Sequence, residues 1–331
     1  MHPISRIIFL GAFFLTLAAC TPRDRYIAIS GYAQGGTYTV KLNLDGVSLR
    51  PEILRDGIDS ILTRIDTTLS GYNKGSQLSR FNRGETIVPN DLFREIFQAA
   101  RDYREETGGA LDVAAAPLFD AWGFGFSKDS LPSDETVAAL MEACDLDRIP
   151  EDLTRGNGQR LNYNAIAQGY SCDKVADYLR KAGVKDMLVD IGEIYCDGLN
   201  PSGKPWTLAV DKPVDGNNDP GAQIQAKWRS DGGPCGIVTS GNYRKFYIRD
   251  GKKYAHTIDP RTGRPVQHNL LSATVVAPTA MAADAYATYC MVLGMQEARA
   301  FIEGRADLEG YLIYEEDGQM KTWASEGFNL I

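Results

Sequence analysis

Helix-patterned and strand-patterned segments are interspersed along this chain without a strict alternating rhythm, and that order constrains the fold more than any single motif. Apolar residues recur at helical spacing through Leu54, Ile58, Ile61, Ile65 and Leu69, and again through Phe93, Ile96, Phe97, Ala100 and Tyr103. Helices are also predicted from Ser133 onward, over residues 165–182 with Gly183 closing them, and over the alanine-rich residues 279–293. Strand-like runs cover residues 26–44, divided by a tight turn at Gly35-Gly36, and then 187–191, 206–210, 237–239 and 271–276. Residues 245–249 and 253–258 read as a hairpin across Asp250-Gly251, and residues 311–314 and 320–324 as a closing hairpin. Residues 70–82, with their glycines and serines, read as a loop. A doubly wound parallel sheet needs alternation. This order favours the α+β class, with mixed sheets and packed helices.

The chain has 331 residues, 44% hydrophobic and 24% charged, enough to bury a substantial core as one large domain or two small ones. Its net charge of −8 argues against a nucleic-acid partner, which would need a basic footprint.

Residues 7–17 form an apolar run behind His2 and Arg6, about as long as a secretion signal and too short to span a bilayer. The run ends in Leu17-Ala18-Ala19-Cys20, which resembles a bacterial lipobox. In that reading residues 1–19 are a signal peptide, Cys20 carries acyl chains, residues 20–25 are a tether and residues 26–331 form the working domain. Several acyl chains hold a protein to a membrane more firmly than one. The expected location is the bacterial cell envelope, lipid-anchored and facing the periplasm. The other cysteines, Cys144, Cys172, Cys196, Cys235 and Cys290, fit no CxxC spacing, so zinc is not expected. In an oxidising compartment they leave room for one or two disulfides, with the connectivity open.

Asp284 and Thr288 sit one turn apart on a predicted helix whose neighbours, Met281, Ala285, Met291 and Val292, are apolar. A buried carboxylate needs a partner or an ion, and carboxylate plus hydroxyl oxygen suits Mg²⁺. The alternative is a surface aspartate beside a threonine bonded back to the preceding turn. His256 ends a predicted strand and enters the polar turn through Ile258, Asp259 and Gly263, where an imidazole could act as a general base or simply hold structure. His268, in a polar loop, reads as structural. Residues 162–173 present a polar loop opening a helix, a place where free N–H groups bind anions, though without the glycine-lysine signature of a P-loop. Gly192-Glu193 and residues 239–242 are further polar turns at strand ends. Tyr72, flanked by Gly71, could stack on a flat ring or cover the core.

Together and in this order, these segments resemble the FAD:protein FMN transferases, the ApbE family. The resemblance runs from about Gly35 to Gly294. It is carried by Ser70-Gly71-Tyr72 with Ser79-Arg80-Phe81-Asn82, Gly109-Ala110-Leu111-Asp112 with Trp122-Gly123-Phe124, and Ala165-Ile166-Ala167-Gln168-Gly169-Tyr170. Later blocks are Thr239-Ser240-Gly241-Asn242-Tyr243, the run from His256 to Gly263, and Ala283-Asp284-Ala285 with Thr288. The resemblance implies a T-fold-related domain that takes FAD with Mg²⁺, joins FMN to a Ser or Thr hydroxyl of an acceptor protein and releases AMP. It implies that Asp284, Thr288 and the Ala165 carbonyl hold the metal and that His256 takes the hydroxyl proton. Tyr72 would pack on the isoalloxazine, and Gly35, Ala110, Leu111, Asp112, Asn162, Gln168 and Ile258 would contact the flavin. It also implies an electron-transfer acceptor carrying an Asp-x-x-Ser/Thr-Gly-Ala-Ser/Thr segment.

Three positions depart from the family pattern. Gly35-Gly36-Thr37 stands where Met-Gly-Thr is frequent, Asn162 where Asp is frequent, and Gln168 where Lys or Glu is frequent. None of them touches Asp284, Thr288 or His256. Two other activities fit the same residues: splitting of FAD to FMN and AMP with water as acceptor, and flavin binding without catalysis.

Overall fold

The structure, a computed structural model, describes residues 25–125, 131–155, 158–214, 216–217, 221–243, 246–249 and 252–331. The signal segment, Cys20, the tether up to residue 24 and the Asp250-Gly251 turn lie outside the described residues. The strands are β1 (Tyr26–Ala33), β2 (Gly36–Asn43), β3 (Met187–Asp190), β4 (Ile194–Asp197), β5 (Thr207–Asp211), β6 (Ile224–Arg229) and β7 (Cys235–Gly241). They continue as β8 (Phe246–Arg249), β9 (Lys252–Ala255), β10 (Ile258–Asp259), β11 (Arg264–Pro265), β12 (Leu270–Ala277), β13 (Glu309–Glu316) and β14 (Gln319–Ala324). The helices are α1 (Pro51–Leu69), α2 (Gln77–Asn82), α3 (Asp91–Glu106), α4 (Ala116–Ala121), α5 (Asp134–Ala143), α6 (Ala167–Lys181), α7 (Ala280–Leu293) and α8 (Met295–Glu303).

One eight-stranded sheet runs in the order β1-β2-β3-β4-β7-β12-β13-β14, and every pairing in it is antiparallel. Side chains alternate between its faces. Val40, Val189 and Tyr195 pack against Leu54 and Ile58 of α1 and Val175 and Leu179 of α6. Val238, Ala273 and Val275 pack against Ala283, Ala287 and Met291 of α7. The opposite face, through Leu188, Cys196, Ile237 and Ile313, is covered by Trp206, Val210, Trp228 and Phe328. A further cluster joins α1, α2 and α3 to the loop before α6 through Ile65, Phe81, Phe93, Ile96 and Tyr163. Each buried Val, Leu, Ile, Phe or Met among them contributes roughly 1.5–3 kcal/mol by leaving water.

Local chemistry sets the element ends. Pro51 opens α1 at its first position, where its missing N–H costs nothing. The side chains of Asn90, Ser133 and Thr279 cap α3, α5 and α7. Gln34 (φ 52°) and Gly35 (φ 82°) both take the left-handed conformation that a two-residue hairpin turn requires, so the β1–β2 turn lies one residue earlier than Gly35-Gly36.

The position of α7 is fixed by two close approaches. A Cβ on Gly169 would lie 2.3 Å from the Ala280 carbonyl oxygen, and one on Gly236 would lie 2.3 Å from the Ala280 Cα. Glycine at both positions lets α6 and β7 meet the backbone of α7.

The α+β reading holds, and so do the hairpins and the long helices. The expected loop over residues 70–82 instead ends in α2, started by Ser76 accepting from the Ser79 amide at 2.9 Å. The run over residues 253–258 is not one strand: β9 ends at Ala255, and Ile258 pairs separately with Pro265 in β10–β11. α8 and β4 fall outside the predicted segments. Gly294 (φ 84°) both ends α7 and begins α8, turning the chain at a corner between them. No described helix is long and apolar enough to cross a membrane.

Candidate functional site

At one end of the sheet, between α1, α3 and α7, lies a cavity of about 840 Å³. That is near the upper end of the usual range for small-molecule sites, about 300–1,000 Å³. Its wall holds Gly35, Tyr72, Ala110, Leu111, Asp112, Asn162, Ala165, Gln168, His256, Ile258, Asp284 and Thr288. Every site residue singled out in the sequence, apart from Cys20, therefore borders one space.

Asp284 is 4% exposed. Its Oδ2 accepts the Gly169 N–H at 3.0 Å, and the carboxylate makes no other hydrogen bond among the described residues. Burial raises its pKa, the Gly169 amide opposes the rise, and the negative charge of Asp173 adds to it. Asp173 is itself a clamp: its two oxygens accept the Ala280 and Met281 amides at 2.8 and 2.9 Å, at the first turn of α7. Burial pushes its carboxyl up to about 6. Thr288 follows Asp284 by one turn and places Oγ1 3.4 Å from Ser240 Oγ.

Ala165 lies on the loop before α6. That loop is held by Asn82, whose side chain accepts the Leu161 N–H and donates to the Leu161 carbonyl, both at 2.8 Å. Asn162 Oδ1 accepts the Asn164 amide at 2.9 Å. α6 itself has no side-chain cap.

His256 comes directly after β9, with its ring 6.4 Å from that of Phe124 in an edge-to-face arrangement. The next residue, Thr257, is buried and donates from Oγ1 to Asn242 Oδ1 at 2.7 Å. Trp122 donates from Nε1 to the Gly263 carbonyl at 2.7 Å and pins the far end of the same run. Aromatic rings support this wall: Trp122 stacks on Tyr254, Tyr254 on Tyr247 and Tyr247 on Phe124.

Tyr72 is 67% exposed on a loop tied to Ser70, whose Oγ accepts the Tyr72 and Asn73 amides. Asp112 is committed to structure: Oδ1 accepts the Ala114 amide at 2.7 Å and Oδ2 accepts Arg104 Nε at 2.9 Å. Burial still raises its pKa against those bonds. Gln168 donates from Nε2 to the Ile191 carbonyl at 3.2 Å.

The described residues lining the cavity include the carboxylates Asp66, Asp112, Glu193 and Asp284 but neither Lys nor Arg. A phosphate-bearing ligand there would need a bound cation and backbone N–H groups to balance its charge. Among the described residues no three His, Cys, Asp or Glu side chains cluster as a metal site. A carboxylate, a hydroxyl one turn away and a loop carbonyl are hard oxygen donors that leave positions open for phosphate. That donor set fits Mg²⁺. Asp173, Asn82, Asn242 and Thr257 had no assigned role in the sequence. The partners of Asp173 and Asn82 lie far along the chain, and Asn242 meets Thr257 across the β8–β9 hairpin, so no local spacing marks them.

A model of the ApbE family matches residues 34–312. The chain is 35% identical to the FAD:protein FMN transferase of Haemophilus influenzae over 98% of this chain and 96% of that protein. It is 35% identical to the Escherichia coli K12 protein of the same name over 83% of this chain and 80% of that one. Among solved structures, it superposes on the flavin transferase ApbE from Vibrio cholerae with a TM-score of 0.77 at 32% identity, covering 92% of this chain and 98% of the other. The apo flavinyl transferase ApbE of Pseudomonas stutzeri gives 0.79 at 32% identity, with 92% and 95% covered.

Proposed function

The chain belongs to the ApbE family of flavin transferases, and from that premise we propose that it cleaves FAD in this cavity and joins the FMN half to a Ser or Thr hydroxyl of an acceptor protein, releasing AMP. The observation that carries this reading is the gathering of Asp284, Thr288, His256 and the flavin-contact positions around one cavity.

In this reading the isoalloxazine lies against Tyr72, Ala110, Leu111 and Ile258. Gly35, at the tip of the β1–β2 hairpin, Asn162 and Gln168 border the same ligand. The pyrophosphate lies toward Asp284, where the start of α6 offers backbone N–H groups. Asp284, Thr288 and the Ala165 carbonyl would hold Mg²⁺. When bound, that ion supplies positive charge to the two phosphates and to the leaving AMP oxygen. His256 accepts the proton of the acceptor hydroxyl as its oxygen attacks the FMN phosphorus. The bond from that phosphorus to the bridging oxygen breaks, and AMP departs with the oxygen. Phosphoryl transfer asks mainly for positioning and charge neutralisation, which suits a site rich in tethered loops.

We further propose that the enzyme works at the periplasmic face of a bacterial membrane, anchored through acylated Cys20. The support is the apolar run ending in Leu17-Ala18-Ala19-Cys20. The acceptor would be a membrane-associated electron-transfer protein bearing the Asp-x-x-Ser/Thr-Gly-Ala-Ser/Thr segment. Metabolic labelling with palmitate that disappears in Cys20→Ser tests the anchor.

The activity is tested by incubating the purified chain with FAD, MgCl₂ and an acceptor domain carrying that segment. Denaturing electrophoresis with flavin fluorescence and an AMP assay follow. A fluorescent acceptor band with matching AMP is the expected result. AMP and free FMN without a band would make the enzyme an FAD-splitting hydrolase, and bound FAD with neither product would make it a flavin-binding protein.

A further inference from the structure

β4 and β7 lie side by side in the middle of the sheet, and Cys196 and Cys235 are direct cross-strand partners. Their Sγ atoms are 3.6 Å apart. Cys196 is fully buried and Cys235 half-buried. Both belong to the face covered by Trp206 and Trp228, away from α6, α7 and the cavity, so the chemistry above uses neither. The remaining described cysteines are dispersed. Cys172, Cys290 and Cys144 lie in three other packing clusters.

Directly opposed residues in an antiparallel pair have Cα atoms about 4.5–5.5 Å apart, inside the roughly 4.4–6.8 Å span of disulfide-linked cysteines. The sulfurs must close by about 1.5 Å to reach bonding distance, a movement that side-chain rotation supplies without shifting either strand. The half-buried Cys235 gives an incoming reagent its access, and Cys196 waits beside it.

We propose that Cys196 and Cys235 form a dithiol site that a disulfide donor converts into a cross-strand disulfide stapling β4 to β7. The Cys235 thiolate attacks one sulfur of the donor, breaks its S–S bond and releases the first donor half as a thiol. Cys196 sulfur then attacks Cys235 sulfur and expels the second half. Two protons leave the protein thiols and end on the two released donor thiols. The donor disulfide is reduced by two electrons and the protein is oxidised by two.

The staple would act on the site sheet. β4 leaves directly from Glu193, and β7 ends in Thr239, Ser240 and Gly241, all of them in the cavity wall. Between the two cysteines, 39 positions apart, the chain makes the β5–β6 hairpin that covers this face. Cross-linking such a loop restricts the unfolded chain and should raise resistance to unfolding.

The test oxidises the purified full chain with oxidised glutathione, alkylates remaining thiols under denaturing conditions and maps peptides by mass spectrometry without reduction. The expected product is a peptide pair joined through Cys196 and Cys235 and short of two hydrogens, with Cys144, Cys172 and Cys290 alkylated. The thermal midpoint should rise on oxidation in the wild type and stay unchanged in Cys235→Ser. Alkylation of both Cys196 and Cys235 after oxidation would overturn the proposal, as would a glutathione adduct that stays on Cys235. A linkage to any other cysteine would overturn it too. Because the primary readout is on the wild-type chain, poor folding of a variant leaves the result interpretable.

Discussion

The Gly169 amide donates to Asp284 Oδ2 at 3.0 Å across the α6–α7 contact, and the same glycine lets the helices approach that closely. One residue thus orients the buried carboxylate and sets where its helix lies. Gly169→Ala would place a methyl 2.3 Å from the Ala280 carbonyl oxygen, a backbone atom that cannot rotate away. The helices must part, at a cost of about 1–3 kcal/mol for overpacking. Urea unfolding should show that loss, and flavin transfer should fall as well. A variant with wild-type stability would mean that α7 is not wedged here.

Asp284→Asn separates function from stability. Burial disfavours the charged carboxylate, whereas an amide keeps an oxygen for Gly169 N–H without the charge. Turnover should drop roughly 100-fold or more, because the substitution removes the charged oxygen assigned to the cation. The thermal midpoint should hold or rise. Retained turnover at ordinary Mg²⁺ concentrations would refute the metal assignment, and a lowered midpoint would make the carboxylate structural.

His256 and Thr257 make a graded pair. His256→Ala should leave the FAD dissociation constant near wild type while slowing transfer by about 10²–10⁴-fold, the usual range for a general base. Thr257, the next residue along the cavity wall, ties the backbone beside the imidazole to Asn242, so Thr257→Val should lower kcat more mildly and Thr257→Ser should restore it. Isothermal titration with FAD and single-turnover transfer distinguish the two effects. Parallel loss of binding and transfer in His256→Ala would assign the imidazole to the binding wall instead.

The sequence makes the fold class and the ends of the long elements legible, because period and capping are local properties. It marks Asp284 and Thr288 by helical spacing, and Tyr72 and His256 by their loops, but only the order of several blocks ties them to one ligand. What stays hidden is contact between distant segments. Asn82 holds the Leu161 backbone, Asp173 holds the start of α7, and Cys196 faces Cys235. None of these pairs has a characteristic spacing, since each depends on how the sheet and helices stack. α8 is hidden for another reason: Gly294, an ordinary stop signal, here turns the chain into a second helix.

His268 predicts how stability responds to pH. Its Nδ1 accepts the Leu270 N–H at 3.3 Å, and Nε2 lies 2.8 Å from the Met291 carbonyl oxygen, so the ring is held neutral with its hydrogen on Nε2. Burial lowers its pKa in the folded chain. Below about pH 6.5 the unfolded chain protonates this ring while the folded chain does not. The unfolded state then binds more protons, and unfolding free energy rises with pH across that window. The stabilisation is complete above the ordinary imidazole value and is lost as pH falls toward the depressed folded value. His268→Gln cannot titrate, and other groups respond alike in both proteins. The stability difference between wild type and variant, measured by urea unfolding from about pH 7.5 to about pH 5.5, should therefore shrink on acidification. A difference that is flat or grows toward low pH would show that the ring is not held neutral in the fold.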